Sequence, residues 1–116
     1  MGRFEEVQKE IIAFRDKRDW SQFHDPKNLA EGLAIEAAEL LENFLWKDTL
    51  EARKLGKNEV RAVKQECSDI FVFLTYLAHE FDFDLLAEVK KKLVLNAKRY
   101  PVRKARGKRE KYRVLA

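Results

Sequence analysis

An all-α fold, a bundle of four main helices joined by short connections, is the architecture this residue pattern predicts. Three observations carry it. Apolar residues recur at helical spacing through most of the first hundred positions, no segment alternates with period two for long enough to form a strand, and there is no internal repeat. The chain has 116 residues, enough for one domain and too few for two.

Phe4, Val7, Ile11, Ile12 and Phe14 stand at helical intervals between charged residues, so residues 3–18 read as an amphipathic first helix. The stretch Asp19 to Pro26 breaks that pattern. Pro26 suits the first position of a helix, where its missing N–H costs nothing, and Asp25 before it is a fitting N-cap. The second helix is expected to run to about Lys47, with Leu29, Leu33, Leu40 and Phe44 as its apolar stripe and Glu31 and Glu42 turned towards water. Asp48 to Asn58, with Gly56 and little periodicity, reads as a short ragged helix or an exposed connection. A third helix follows from about Glu59 to Glu80. Asp84 then caps a fourth, built on Leu85, Leu86, Val89, Leu93 and Val94, which ends near Ala97 and is stopped by Tyr100-Pro101.

Residues 98–113 hold nine Lys/Arg against one Glu, while the other residues hold 15 against 19, so a tail of about +8 follows a body of about −4. The expected division is a domain over residues 1–102 and a mobile basic tail over 103–116. With 46% hydrophobic and 38% charged residues, the composition is that of a soluble globular protein with a very polar surface. No apolar run approaches the roughly 18 residues of a membrane span, and MGRFEEVQKE has no signal-peptide core. No membrane partner is therefore expected, and the expected location is cytoplasmic. The single cysteine, Cys67, cannot form an internal disulfide and reads as a packing residue.

The chemistry lies in carboxylates set within apolar helical runs. Glu36 and Glu39 interrupt the stretch Gly32 to Trp46, with Glu36 at the edge of the apolar stripe. Glu66 falls between Ala62, Ile70, Phe73 and Leu77 on the wheel of the third helix, with Asp69 one turn on. An unpaired buried carboxylate costs several kcal/mol, so four of them converging from two packed helices call for a cation. An oxygen-only donor set suits Mg²⁺, with Mn²⁺ as a substitute, and Mg²⁺ commonly shares its shell with substrate phosphates. A di-iron bundle would need Glu-x-x-His pairs, and neither His24 nor His79 follows a Glu at that spacing. Glu-x-x-Glu is also common on solvated helices, but two acidic pairs on apolar faces favour metal. Lys92, Asn96 and Arg99 form one polar face of the fourth helix, able to hold phosphate oxygens or to be solvated. Trp20, His24 and Trp46 supply aromatic or hydrogen-bonding groups that could meet a nucleobase or serve in the core, at an interface or on the surface.

Taken in order, Trp20-x-x-Phe23-His24-x-Pro26-x-Asn28-Leu29, Glu36-x-x-Glu39 with Trp46-Lys47, Glu66-x-x-Asp69 and Asn96-x-x-Arg99-Tyr100-Pro101 resemble the MazG-like all-α nucleoside triphosphate pyrophosphohydrolases, close to the small dCTP pyrophosphatases. The resemblance spans about Phe4 to Pro101. It implies that Glu36, Glu39, Glu66 and Asp69 bind Mg²⁺, that Trp20, His24 and Trp46 line a base pocket, and that Asn96, Arg99 and Lys92 meet phosphates. Where those relatives carry a Tyr one turn after the Asp, this chain has Phe73, which puts a preference for dCTP itself in question. The implied reaction is (d)NTP + H₂O → (d)NMP + pyrophosphate, on dCTP-like or modified deoxynucleotides, as in nucleotide-pool clean-up. Glu39 is the candidate to orient or deprotonate the attacking water. The resemblance also implies a homodimer or homotetramer, and Phe71, Phe81, Phe83 and Leu86 supply apolar flanks to cover. The competing reading is a nucleic-acid-binding or interaction module that uses the basic tail. For the pyrophosphohydrolase, nucleic acid is not an expected partner.

Overall fold

The structure is a computed structural model and describes residues 2–115. It is all-helical, with no strand among the described residues: α1 (Arg3–Asp16), α2 (Pro26–Glu42), α3 (Thr49–Arg53), α4 (Lys57–Glu80), α5 (Leu85–Arg99), α6 (Val102–Ala105) and α7 (Tyr112–Leu115), with a single 3₁₀ turn at Ser21–Phe23. Two compact units divide at Asp82 and Phe83. No helix among the described residues is long and apolar enough to cross a membrane.

In the first unit α4 is the central element, packed against α2 along most of that helix and against α1 more lightly. The caps read from sequence are in place. Asp25 accepts from the Asn28 backbone N–H at 2.8 Å and opens α2, with Pro26 at its first position. Asp48 and Glu51 form a reciprocal capping box that makes α3 a true, if short, helix. Leu29, on the predicted stripe of α2, is 1% exposed, whereas Glu31 lies on the solvent side in an ion pair with Lys27.

Helix α2 ends at Glu42, about a turn before the expected Lys47. Asn43 donates from its side chain to the Glu39 and Leu40 carbonyls, using up acceptors that a continuing helix would need. Phe44 and Leu45 close tighter bonds back to Leu41 and Glu42, and Trp46 takes a φ of 66°, a left-handed conformation that costs a non-glycine residue about 1 kcal/mol or more. The connection is then pinned to α4 by Lys47, whose ammonium lies 3.0 Å from Glu59. Cys67, expected in the packing, is exposed, because it follows Glu66 by one residue and so faces away from α2.

The second unit begins with α5, capped as expected by Asp84, which accepts from the Ala87 N–H at 3.1 Å. It runs on to Arg99, two residues past the expected end, where the Tyr100 N–H still reaches the Asn96 carbonyl. The basic stretch beyond Pro101 contains α6 and α7, which pack on each other. Tyr112 meets the edge of Tyr100 with centroids 5.9 Å apart, and the Arg99 guanidinium sits 4.7 Å above the Tyr112 ring.

Candidate active site

The packed pair α2 and α4 brings its acidic residues together. Carboxylate oxygens of Glu36, Glu39 and Glu66 all lie within 4.8 Å of one another. One oxygen each of Glu36 and Glu66 is buried without a hydrogen-bond partner. Burial, the neighbouring Glu66 carboxyl and the charges of Glu39 and Asp69 push the Glu36 carboxyl up to about 7. Like-charged carboxylates this close cannot all ionise cheaply, so a proton or a cation must sit among them. The donor set is oxygen only and its orphaned oxygens converge, which fits a hard divalent cation. Asp69 is not one of the three clustered groups. It is exposed on the next turn of α4, near enough for its charge to act on Glu36.

Asp69 also lines a largely apolar cavity of about 510 Å³. Val7, Glu10, Ile11 and Phe14 of α1 form one wall, Val72, Phe73 and Tyr76 of α4 another, and Trp20 and His24 come from the connection between α1 and α2. That connection is held in shape by Asn28, whose side chain donates to the Phe23 carbonyl at 3.1 Å, and by the His24 N–H bonded to the Ser21 carbonyl. Trp20 meets the edge of Phe14, over which the Arg18 guanidinium stacks at 3.5 Å. His24 lies against Tyr76 with centroids 4.4 Å apart. Burial first, and then the charge of Arg15, lower the His24 pKa, so the ring is neutral at neutral pH. Phe73 stands edge-on to Tyr76 and lies so close to Gly32 that a Cβ there would run into its ring.

A match to the MazG-like family covers residues 32–115 of this architecture, including the acidic residues of α2 and α4 and the basic stretch after Pro101. This chain belongs to the MazG-like family. The chain is 37% identical over 110 residues to dCTP pyrophosphatase 1 of Homo sapiens, and 38% identical to the Bos taurus protein of the same name, with 93% of this chain covered in each case. It spans 65% of the length of those relatives. The crystal structure of a pyrophosphatase from Archaeoglobus fulgidus superposes with a TM-score of 0.82 at 33% identity, over 87% of this chain and 94% of that one.

Within this MazG-like chain the residues singled out from sequence fall into four places. Glu36, Glu39 and Glu66 cluster, while Asp69, Trp20, His24 and Phe73 line the adjoining cavity. Lys92, Asn96 and Arg99 share α5 in the second unit, where Lys92 is exposed and the other two are half-buried. Trp46 does not join the cavity: it is 92% exposed, because α2 stops early and the chain turns outward there. Sequence reasoning gave no role at the site to Phe14, Gly32, Tyr76 or Arg15. Tyr76 follows Phe73 by three residues and could have been found on the same face of α4. Arg15, 5% exposed and paired with Asp16 at 2.8 Å, had no signal, since an Arg in an amphipathic helix reads as solvated.

Proposed function

We propose that this chain is a divalent-metal-dependent nucleoside triphosphate pyrophosphohydrolase that converts (d)NTP and water to (d)NMP and pyrophosphate. The observation that carries the reading is the three-carboxylate cluster with its partnerless oxygens, joined through Asp69 to an apolar, aromatic-walled cavity. The names of the relatives, dCTP pyrophosphatase 1 and an archaeal pyrophosphatase, support the same reaction.

Glu36, Glu39, Glu66 and Asp69 would hold Mg²⁺, or Mn²⁺ in its place. The cation supplies charge neutralisation on the phosphates and makes a nearby water more acidic. Glu39 orients the water and takes its proton as the oxygen bonds to the α-phosphorus and the bond between the α-phosphorus and the bridging oxygen breaks. The electron pair of that bond leaves with pyrophosphate, for which the family resemblance offers Lys92, Asn96 and Arg99 as phosphate contacts. Trp20, His24 and Phe73 receive the base of a dCTP-like or modified deoxynucleotide of a cytoplasmic nucleotide pool. Outside the cavity, Ile35, Leu41, Leu45, Trp46 and Leu50 are all exposed. Such an apolar surface supports a homodimer or homotetramer, with Trp46 as a contact residue.

The test is pyrophosphate release from canonical and modified dNTPs with Mg²⁺ present and then chelated. Release that disappears on chelation and returns with added Mg²⁺ is the expected result. No release from any nucleotide would overturn the reading.

A further inference from the structure

The cavity is unusual in where its polar groups stand. At the turn after Asp69 the wall is Phe73, a ring with no hydroxyl, seated against Gly32. The hydroxyl-bearing ring comes three residues later, at Tyr76, which lines the same cavity and is otherwise buried. Asp69 and Tyr76 are seven residues apart, two helical turns, so they share an azimuth on α4 and lie about 10 Å apart along its axis. A hydroxyl on residue 73 would lie only about 6 Å along from the acidic pair, within reach of the sugar and the α-phosphate. One turn further, a hydroxyl stands farther from the carboxylates, towards the part of the cavity that a base would occupy if its phosphates were held there. His24 stands beside Tyr76 there, and its buried Nδ1 has no hydrogen-bond partner among the described residues.

We propose that Tyr76, with His24 beside it, is the specificity-determining residue of this site, reading the hydrogen-bonding edge of the nucleobase from the end of the cavity remote from the carboxylates. The inference rests on the pyrophosphohydrolase reading. In an apolar cavity a small number of placed polar groups fixes which ligand is accepted, because a ligand that fails to pair them leaves them desolvated and unsatisfied. Burial pushes the Tyr76 hydroxyl pKa up, so the group stays protonated and able to donate throughout the physiological range. Burial, with the charge of Arg15 behind it, keeps the imidazole of His24 neutral, and the same Arg15 charge acts on Tyr76, which makes the end of the cavity attractive to an acceptor on the base. The ligand class is a nucleotide whose base presents polar atoms at its outer edge, as opposed to a flat apolar ring of the same size.

The experiment compares kcat and KM for the four canonical dNTPs and for the deoxynucleoside triphosphate of 2,4-difluorotoluene, which has the shape of thymine without its hydrogen-bonding edge. Tyr76→Phe removes one oxygen and leaves the ring packing in place. It is expected to lower kcat/KM on the preferred canonical base by about five- to tenfold through KM, the effect of one hydrogen bond, and to leave the difluorotoluene nucleotide unchanged. Moving the hydroxyl back a turn, in the double variant Phe73→Tyr with Tyr76→Phe, is expected to reorder the bases. Equal losses on the canonical and the apolar nucleotide would show a merely structural role and overturn the inference, as would an unchanged ranking in both variants. An active wild-type chain with either of those outcomes leaves the hydrolase reading intact. No pyrophosphate release by the wild-type chain defeats that reading and this inference with it.

Discussion

Replacing Glu36 with Gln should stabilise the metal-free protein while removing its response to Mg²⁺. The carboxyl of Glu36 is pushed from 4.5 to about 7 by burial, by Glu66 and by the charges of Glu39 and Asp69. At about 1.4 kcal/mol for each pH unit that rise is worth about 3 kcal/mol in full. Solvent screening at a half-buried side chain reduces it to on the order of 1 kcal/mol. The sign follows from linkage. Because the folded pKa is raised, the favourable contribution of protonated Glu36 is complete below 4.5 and is lost as pH rises through about 7. At pH 8 in chelator the Gln variant, which carries no charge to bury, should therefore unfold about 4 to 8 °C higher than wild type, the shift about 1 kcal/mol produces in a domain of this size. The difference should vanish at pH 4.5, where wild-type Glu36 is itself neutral. Mg²⁺ at ten times its dissociation constant should then raise wild-type stability by about 1.4 kcal/mol and the variant by much less, so the order narrows or reverses. Thermal melts at the two pH values, with and without Mg²⁺, decide it. A variant less stable than wild type in chelator at pH 8, or equal stabilisation of both by Mg²⁺, would refute the reasoning.

Gly32→Ala gains about 1 kcal/mol of helix propensity but drives a methyl into the Phe73 ring, at a cost of about 1–3 kcal/mol; denaturant titration should show a net loss, and a net gain would mean the Phe73 ring moves freely. Asp25→Ala removes the cap of α2 and should lower stability by about 1 kcal/mol in the same assay, while Leu29→Ala, at the best-buried position of α2, should cost about 2–5 kcal/mol. The His24 ring should titrate below 6.5 by NMR, since burial and Arg15 both disfavour its charge; titration above 6.5 would contradict the packing against Tyr76. Trp46→Ala should weaken self-association in light scattering with little effect on protomer stability, because the side chain is 92% exposed; an unaltered oligomer would remove Trp46 from the interface.

Much of the fold was legible because helices advertise themselves locally. The spacing of Phe4, Val7 and Ile11, the caps Asp25 and Asp84, and the stop at Tyr100-Pro101 depend on residues within a few positions of one another. The early end of α2 escaped the same reasoning. Leu41, Phe44 and Leu45 continue a helical apolar pattern, and only the Asn43 side chain, bonding back to Glu39 and Leu40, and the anchoring of Lys47 on Glu59 turn the chain away.

By itself the sequence determined which residues share a helix face, and so that Glu36 with Glu39 and Glu66 with Asp69 are paired carboxylates on apolar runs. The tertiary structure alone decided which members of those pairs meet. Periodicity sets an azimuth about one axis, but the rotation and register of α4 against α2 set which oxygens converge, and they bring Glu36, Glu39 and Glu66 within 4.8 Å while Asp69 turns to the cavity. The same distinction separates Trp46, aromatic and yet left in solvent, from Tyr76, buried where α1 and the connection after it meet α4.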